Sequence, residues 1–272
     1  MKTLEQTQSW PAGNVSAAVV TADGTVLASA GHQDKRYPLA SVTKLLTAYA
    51  FQVALEEEAV ALDDPAGPEG STIRHLLAHT GGYDFGDRTV RYEPGTRRLY
   101  SNAGFEVLGE HLEEATGIAF KDYLSEAVLT PLGMKDTSLD GSPAAGAVST
   151  AADLSRFAAE LQNPRLVSAN SMAAATSVVF PGLAGVLPGF GRQKENDWGL
   201  GFEIRNGKSP HWTGQSNSPR TFGHFGQSGT FLWVDPELKA AAVVLTDRDF
   251  GPWAAEVWPV YNDALVAELR SS

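Results

Sequence analysis

The hydrophobic pattern of this chain has a strand-like period at both ends and a helical period between them. Val15 to Val20 and Thr25 to Ala30 are β-prone runs on either side of Thr21-Ala22-Asp23-Gly24, and an Asp-Gly pair in that setting predicts a hairpin. From Ser41 to about Glu58, Leu45, Leu46, Tyr49, Phe51, Val53 and Leu55 fall on nearly every side, which predicts a helix buried all round.

Shorter helices follow in the middle third. Thr72 to His79 stops at Gly81-Gly82, Ala103 to Ala115 near Gly117, Phe120 to Val128 near Pro131, and Ala151 to Leu161 before Pro164. Thr150 and Asp153 have the spacing of a capping box at the start of the last of these. Asn163 to Asp197 is long, marked by Gly and Pro, and only weakly periodic.

Strand character then returns. Trp198, Leu200, Phe202 and Ile204 alternate with glycine and charged residues, and Thr230 to Val234 and Ala240 to Thr246 flank a turn at Asp235-Pro236-Glu237. Trp253 to Arg270 closes as an apolar helix with Pro259 as a kink or start point. The expected architecture is therefore α/β (α+β): a mostly antiparallel sheet built by both termini and flanked by helices, with a helical region inserted. On this reading residues 1–60 and 198–272 form the sheet domain, residues 61–197 the insertion, and an active site lies at their interface.

Composition narrows the chemistry. With no cysteine among 272 residues, disulfide, thiol, iron–sulfur and thiolate-zinc chemistry are excluded. A net charge of −11 without a basic cluster disfavours nucleic acid. No run reaches the ~18 apolar residues of a membrane span, and the polar start from Met1 to Pro11 lacks a signal-peptide pattern, so a cytoplasmic location is expected.

Three short constellations carry candidate chemistry. In Ser41-Val42-Thr43-Lys44 the three-residue spacing would set the lysine amine beside the serine hydroxyl at a helix start. A desolvated lysine can take the proton that keeps a hydroxyl a poor nucleophile. In Tyr100-Ser101-Asn102, residues two apart would face one cleft if the segment is extended, and an Asn helix cap is the plainer reading. His224-Phe225-Gly226 sits beside a predicted sheet edge, where glycine allows close approach and histidine supplies a hydrogen bond. His79-Thr80-Gly81 has the same pattern but ends a helix, where a C-cap role is expected.

Together, Ser41-x-x-Lys44, Tyr100-x-Asn102 and His224-x-Gly226 resemble the serine β-lactamase-like family, which includes class C β-lactamases, D-alanyl-D-alanine carboxypeptidases, D-aminopeptidases and related esterases. Leu76 to Gly82, Tyr92 to Thr96, Pro131 to Met134, Ser149 to Leu154 and Leu232 to Pro236 look similar to the same family. The resemblance implies a β-lactamase/transpeptidase-like fold and an acyl-enzyme on Ser41, with Lys44 and Tyr100 sharing general-base and general-acid work. Asn102 would orient Lys44, His224 would border the site, and the backbone N–H groups of Ser41 and Gln227 would form the oxyanion hole. It implies a small ester, amide or lactam substrate and neither metal nor cofactor.

Two departures shape the substrate expectation. His-x-Gly stands where many relatives have Lys-Thr-Gly, and the chain is short beside class C β-lactamases. An esterase or amidase/peptidase is therefore expected, with β-lactamase or carboxypeptidase as the alternative and a catalytically inactive binding relative as the non-enzyme reading. A Gly-x-Ser-x-Gly elbow is absent, and His75 and His79 lack the glutamate of a zinc-hydrolase motif. Trp212 and Arg220 are read as within possible reach of substrate, Arg220 as a carboxylate partner, with packing and surface solvation equally open.

Overall fold

Strands from both ends of the chain meet in one sheet. In the computed structural model, which describes residues 1–271, β1 (Val15–Thr21) and β2 (Val26–Ala30) form the expected hairpin. Gly24 supplies the left-handed turn position at φ 86°, and Asp23 Oδ1 accepts from Thr25 N at 3.0 Å. A 3-10 segment, Lys2–Ser9, precedes them, so the chain does not begin directly in sheet.

The short strand β3 (Tyr37–Pro38) leads through a 3-10 turn, Ala40–Val42, into helix α1 (Thr43–Glu56). Then come α2 (Ile73–Leu77), α3 (Asn102–Thr116) and α4 (Phe120–Leu124). Two short strands, β4 (Ser138–Leu139) and β5 (Ala147–Ser149), join β3 in a small second sheet. Helix α5 (Ala151–Gln162) starts on Thr150, whose hydroxyl accepts from Asp153 N at 3.1 Å. Asp153 does not complete a reciprocal box, because its carboxylate instead accepts from Asp136 N and Thr137 Oγ1, both at 2.8 Å.

The stretch from Asn163 to Asp197 holds more structure than its weak periodicity suggests: helix α6 (Ala169–Ala175) and a hairpin of β6 (Gly185–Leu187) and β7 (Gly191–Gln193). β8 (Glu203–Ile204), β9 (Phe222–Gly226), β10 (Thr230–Asp235) and β11 (Ala240–Thr246) complete the main sheet before α7 (Pro252–Ser271). The strand expected over 198–204 is confined to its last two residues. Gly201 at φ 87° turns the chain, so that Trp198 bridges back to Glu203. Pro259 lies inside α7 without ending it.

The main sheet runs β2-β1-β11-β10-β9-β8, and every pairing is antiparallel. Because side chains alternate across a strand, its two faces feed two cores. Leu232, Val234, Ala241 and Val243 join the core that contains α1, α3 and α5, while Phe231, Trp233, Ala242 and Val244 pack with Trp258, Tyr261 and Leu265 of α7. Helix α1 runs through the first core, with Thr43 to Ala54 all buried. Each fully buried Leu or Phe there contributes about 1.5–3 kcal/mol, so a charged group on that helix is costly unless another purpose holds it. Among the described residues no helix is long and apolar enough to cross a membrane.

Candidate active site

Ser41 stands where the chain leaves β3 and turns into α1. It sits in the 3-10 turn rather than in the α-helix itself, and Ala40 before it takes a left-handed φ of 44°. Such a conformation is strained for a residue with a Cβ and must be held from outside. The β9–β10 turn does this: Thr230 Oγ1 donates to Leu39 O at 2.9 Å and Ser228 Oγ to Pro38 O at 2.7 Å. Gly226 makes the approach possible, since a Cβ there would meet Leu39 O at 2.3 Å and Thr230 Oγ1 at 2.6 Å.

Lys44, in the first turn of α1, is completely buried. Its Nζ lies 3.3 Å from Ser41 Oγ, 2.6 Å from Asn102 Oδ1 and 2.9 Å from the Ala144 carbonyl. Burial drives its pKa well below the ordinary lysine value, with Glu106 opposing. A neutral amine has two N–H bonds and one lone pair. Asn102 and Ala144 offer only acceptor oxygens, so they take the two N–H groups and the lone pair is left toward the Ser41 hydroxyl.

The Tyr100-x-Asn102 pair reaches the same point from the start of α3. Ser101, not Asn102, is the N-cap, its Oγ accepting from Gly104 N at 3.1 Å, which leaves the Asn102 amide free to meet Lys44. The Lys44 amine lies 4.7 Å from the centre of the Tyr100 ring. Burial raises the phenol pKa, partly offset by the Ser41 hydroxyl, so Tyr100 keeps its proton at neutral pH. His79 packs beneath it at 4.5 Å between ring centres, and its Nδ1 accepts from Ser101 N at 3.2 Å. His79 also has a left-handed φ of 55° just beyond the end of α2, as the C-cap reading expects.

On the sheet side, His224 of β9 is buried, with its Nδ1 2.6 Å from the Phe225 carbonyl. Burial and then the Lys44 charge push its pKa down to about 3, so the ring is neutral. The structure thus brings Ser41, Tyr100, His224 and Gln227 to one cavity of about 80 Å³, walled also by Trp198 and Glu203. A larger hollow of about 650 Å³ lies by the β1–β2 turn and α5 and contains none of these groups.

Several neighbours escaped the sequence reading. Glu203 lies behind His224, where Lys208 Nζ and His211 Nε2 each sit 2.9 Å from Oε1 and Trp212 Nε1 donates to Oε2 at 2.8 Å. Burial opposes its ionisation, but Lys208 and His211 outweigh that and hold the carboxyl far below the usual range. Trp212 is therefore a buried partner of Glu203 and not part of the cavity wall, and Arg220 is exposed away from it. His75 stacks on Phe180 and meets Thr72 Oγ1 at 2.9 Å, apart from the cavity.

Comparison with known proteins bears on the family of the chain. A β-lactamase from Mycobacterium bovis, known from its crystal structure, is 57% identical, with a TM-score of 0.96 over 98% of this chain and 99% of that one. Penicillin-binding protein 4* of Bacillus subtilis is 28% identical over 37% of this chain and 30% of its own length. The D-alanyl-D-alanine-carboxypeptidase/endopeptidase AmpH of Escherichia coli is 29% identical over 39% of this chain and 37% of its own. The chain thus matches less than two fifths of these two curated relatives. The β-lactamase family model, by contrast, runs through residues 12–266, and on that span the chain belongs to the β-lactamase family.

Proposed function

We propose that the protein is a serine hydrolase that forms an acyl-enzyme on Ser41 and acts on small esters or amides, with ester hydrolysis as its first activity. One observation carries the reading: a lysine with no place in an apolar core, Lys44, is buried 3.3 Å from Ser41 Oγ, where burial holds its pKa well below the ordinary lysine value. Lys44 takes the Ser41 proton as Oγ attacks the carbonyl carbon. Tyr100, protonated and facing the same hydroxyl, gives its proton to the departing alkoxide or amine, and the Lys44 ammonium replaces it. Water then adds to the acyl carbon while the same groups accept its proton, releasing acid and free Ser41.

The backbone N–H groups of Ser41 and Gln227 are the proposed oxyanion donors, each worth about 10²- to 10³-fold in rate. Acid–base assistance from Lys44 and Tyr100 adds about 10²- to 10⁴-fold. Asn102 keeps the Lys44 lone pair on Ser41, and His224 borders the cavity.

A second reading, β-lactam hydrolysis, is favoured by the 57% identity to the Mycobacterium bovis β-lactamase. One panel separates the two: p-nitrophenyl esters, nitrocefin and D-amino-acid amides, with Ser41→Ala as blank. A fluorophosphonate probe read by intact mass tests the nucleophile first. We expect one adduct on the wild type and none on Ser41→Ala; an equal adduct on both refutes the assignment.

A further inference from the structure

The cavity at Ser41 is too small to hold a whole substrate. About 80 Å³ is roughly half the ~150 Å³ of a cavity that takes one benzene, room for the scissile group and little else. Next to it lies a cleft of about 420 Å³, within the usual range for a small-molecule site. The two share Phe85, Tyr100 and Pro188 and so adjoin along these side chains.

The walls of this cleft have two properties. Phe85, Tyr92 and Val186 are large apolar side chains left 53%, 43% and 62% exposed, and they come from two segments distant in sequence. Arg97, Arg98 and Arg192 also line it, and no Asp or Glu does. Among the described residues none of the three arginines is ion-paired to a carboxylate, although the chain as a whole carries a net charge of −11. Arg98 is buried and its guanidinium donates to the carbonyls of Ala78, Val179, Phe180 and Asn196, with Asp197 offsetting its charge through space but not hydrogen-bonded to it. Arg97 and Arg192 are exposed at the rim.

We infer that the cleft binds the distal part of the substrate, an apolar chain ending in a carboxylate, with Arg97 and Arg192 as the residues that select the anion. The inference rests on the acyl-enzyme reading of Ser41 and adds the substrate class. Apolar walls take the chain out of water, and two guanidinium groups with no carboxylate of their own meet the anion at the exposed rim, where their planar forks can pair with it bidentately.

The test uses mono-p-nitrophenyl esters of straight-chain dicarboxylic acids, succinic to sebacic, each against the neutral ester of equal chain length. A second pair, 4-carboxyphenyl acetate and phenyl acetate, carries the anion on the alcohol side. In at least one pair we expect kcat/KM to favour the carboxylate by about tenfold or more, the scale of one charge-assisted contact. The preference should shrink as salt is raised. Arg97→Ala with Arg192→Ala should bring the ratio close to one, whereas Arg220→Ala, on the surface outside the cleft, keeps it. Ratios near one for every pair in the wild type, or a preference that survives the double substitution, overturn the inference. Fluorophosphonate labelling of Ser41 in the same preparations tells that result apart from failure of the nucleophile. Calorimetry of free suberate on Ser41→Ala reads the cleft without turnover: binding lost in the arginine variants supports the inference, and no binding counts against it.

Discussion

The Tyr100 hydroxyl lies 3.3 Å from His224 Nε2, and the other ring nitrogen of that histidine is 2.6 Å from the Phe225 carbonyl. A carbonyl only accepts, so Nδ1 carries the proton and Nε2 is the acceptor, which makes Tyr100 the donor. Tyr100→Phe removes the hydroxyl that meets both Ser41 and His224. We expect kcat to fall about 10²-fold or more with the melting temperature little changed, because the ring packing stays. Unaltered acylation and deacylation in stopped-flow records would refute a proton-transfer role.

Histidine titration is not expected in the activity profile. With a pKa near 3, His224 is neutral throughout pH 5 to 8, so His224→Gln should leave the position of the acid limb where it was. The limb belongs to Lys44, whose folded-state pKa is lowered. The amine is an active base above that pKa and is lost as pH falls through it, so activity rises with pH across the limb. Measured kcat/KM profiles of wild type and His224→Gln decide the matter, and a displaced limb in the variant contradicts it.

Lys44→Ala separates chemistry from binding. Turnover should drop by about 10²- to 10⁴-fold with KM nearly unchanged, since the amine touches Ser41 and Asn102 and does not line the cavity. Near-normal kcat in steady-state assays removes the lysine from the mechanism.

Gly226→Ala tests the packing that holds Ser41. The new methyl would push on Leu39 O and Thr230 Oγ1, costing about 1–3 kcal/mol and shifting Ser41 off its donors. Thermal melts should show the loss, and kcat should fall more than stability alone explains.

Glu203→Gln leaves Lys208 without its counter-charge and weakens the acceptor that meets His211 Nε2. The expected cost is about 3–5 kcal/mol at neutral pH, read by denaturant unfolding. Because the folded-state pKa of Glu203 is depressed, its contribution is complete above the ordinary value of 4.5 and is lost as pH falls toward the folded value. The stability gap between wild type and variant should therefore narrow in acid; a gap independent of pH assigns the loss to packing.

The readable parts of this molecule are those written in adjacent residues. Ser41 and Lys44 are three apart at a helix start, and the hairpin at Asp23-Gly24 is local, so spacing alone anticipates both. The strand expected from Trp198 forms only at Glu203–Ile204, for a definable reason. Gly199 and Gly201 imitate a period of two but serve close approach and turning, since a Cβ on Gly199 would meet Ala175 O at 2.0 Å. The Ala144 carbonyl that receives a Lys44 N–H has no side-chain signature at all, and the partners of Glu203 lie in an irregular segment without period. The cleft beside the site is likewise assembled from segments distant in sequence.

Arg98 gives that cleft an unusual kind of modularity. Its guanidinium grips Val179 and Phe180 at one end of the segment and Asn196 at the other, while its backbone N–H holds Ala184 O. The β6–β7 hairpin hangs between these clamps, with Val186, Pro188 and Arg192 facing the cleft and the Ser41 machinery anchored elsewhere. Exchanging Val186 and Arg192, while Leu187 and Phe190 stay as core anchors, is then a route to re-addressing the cleft, because the frame that closes the loop is supplied by a residue outside it.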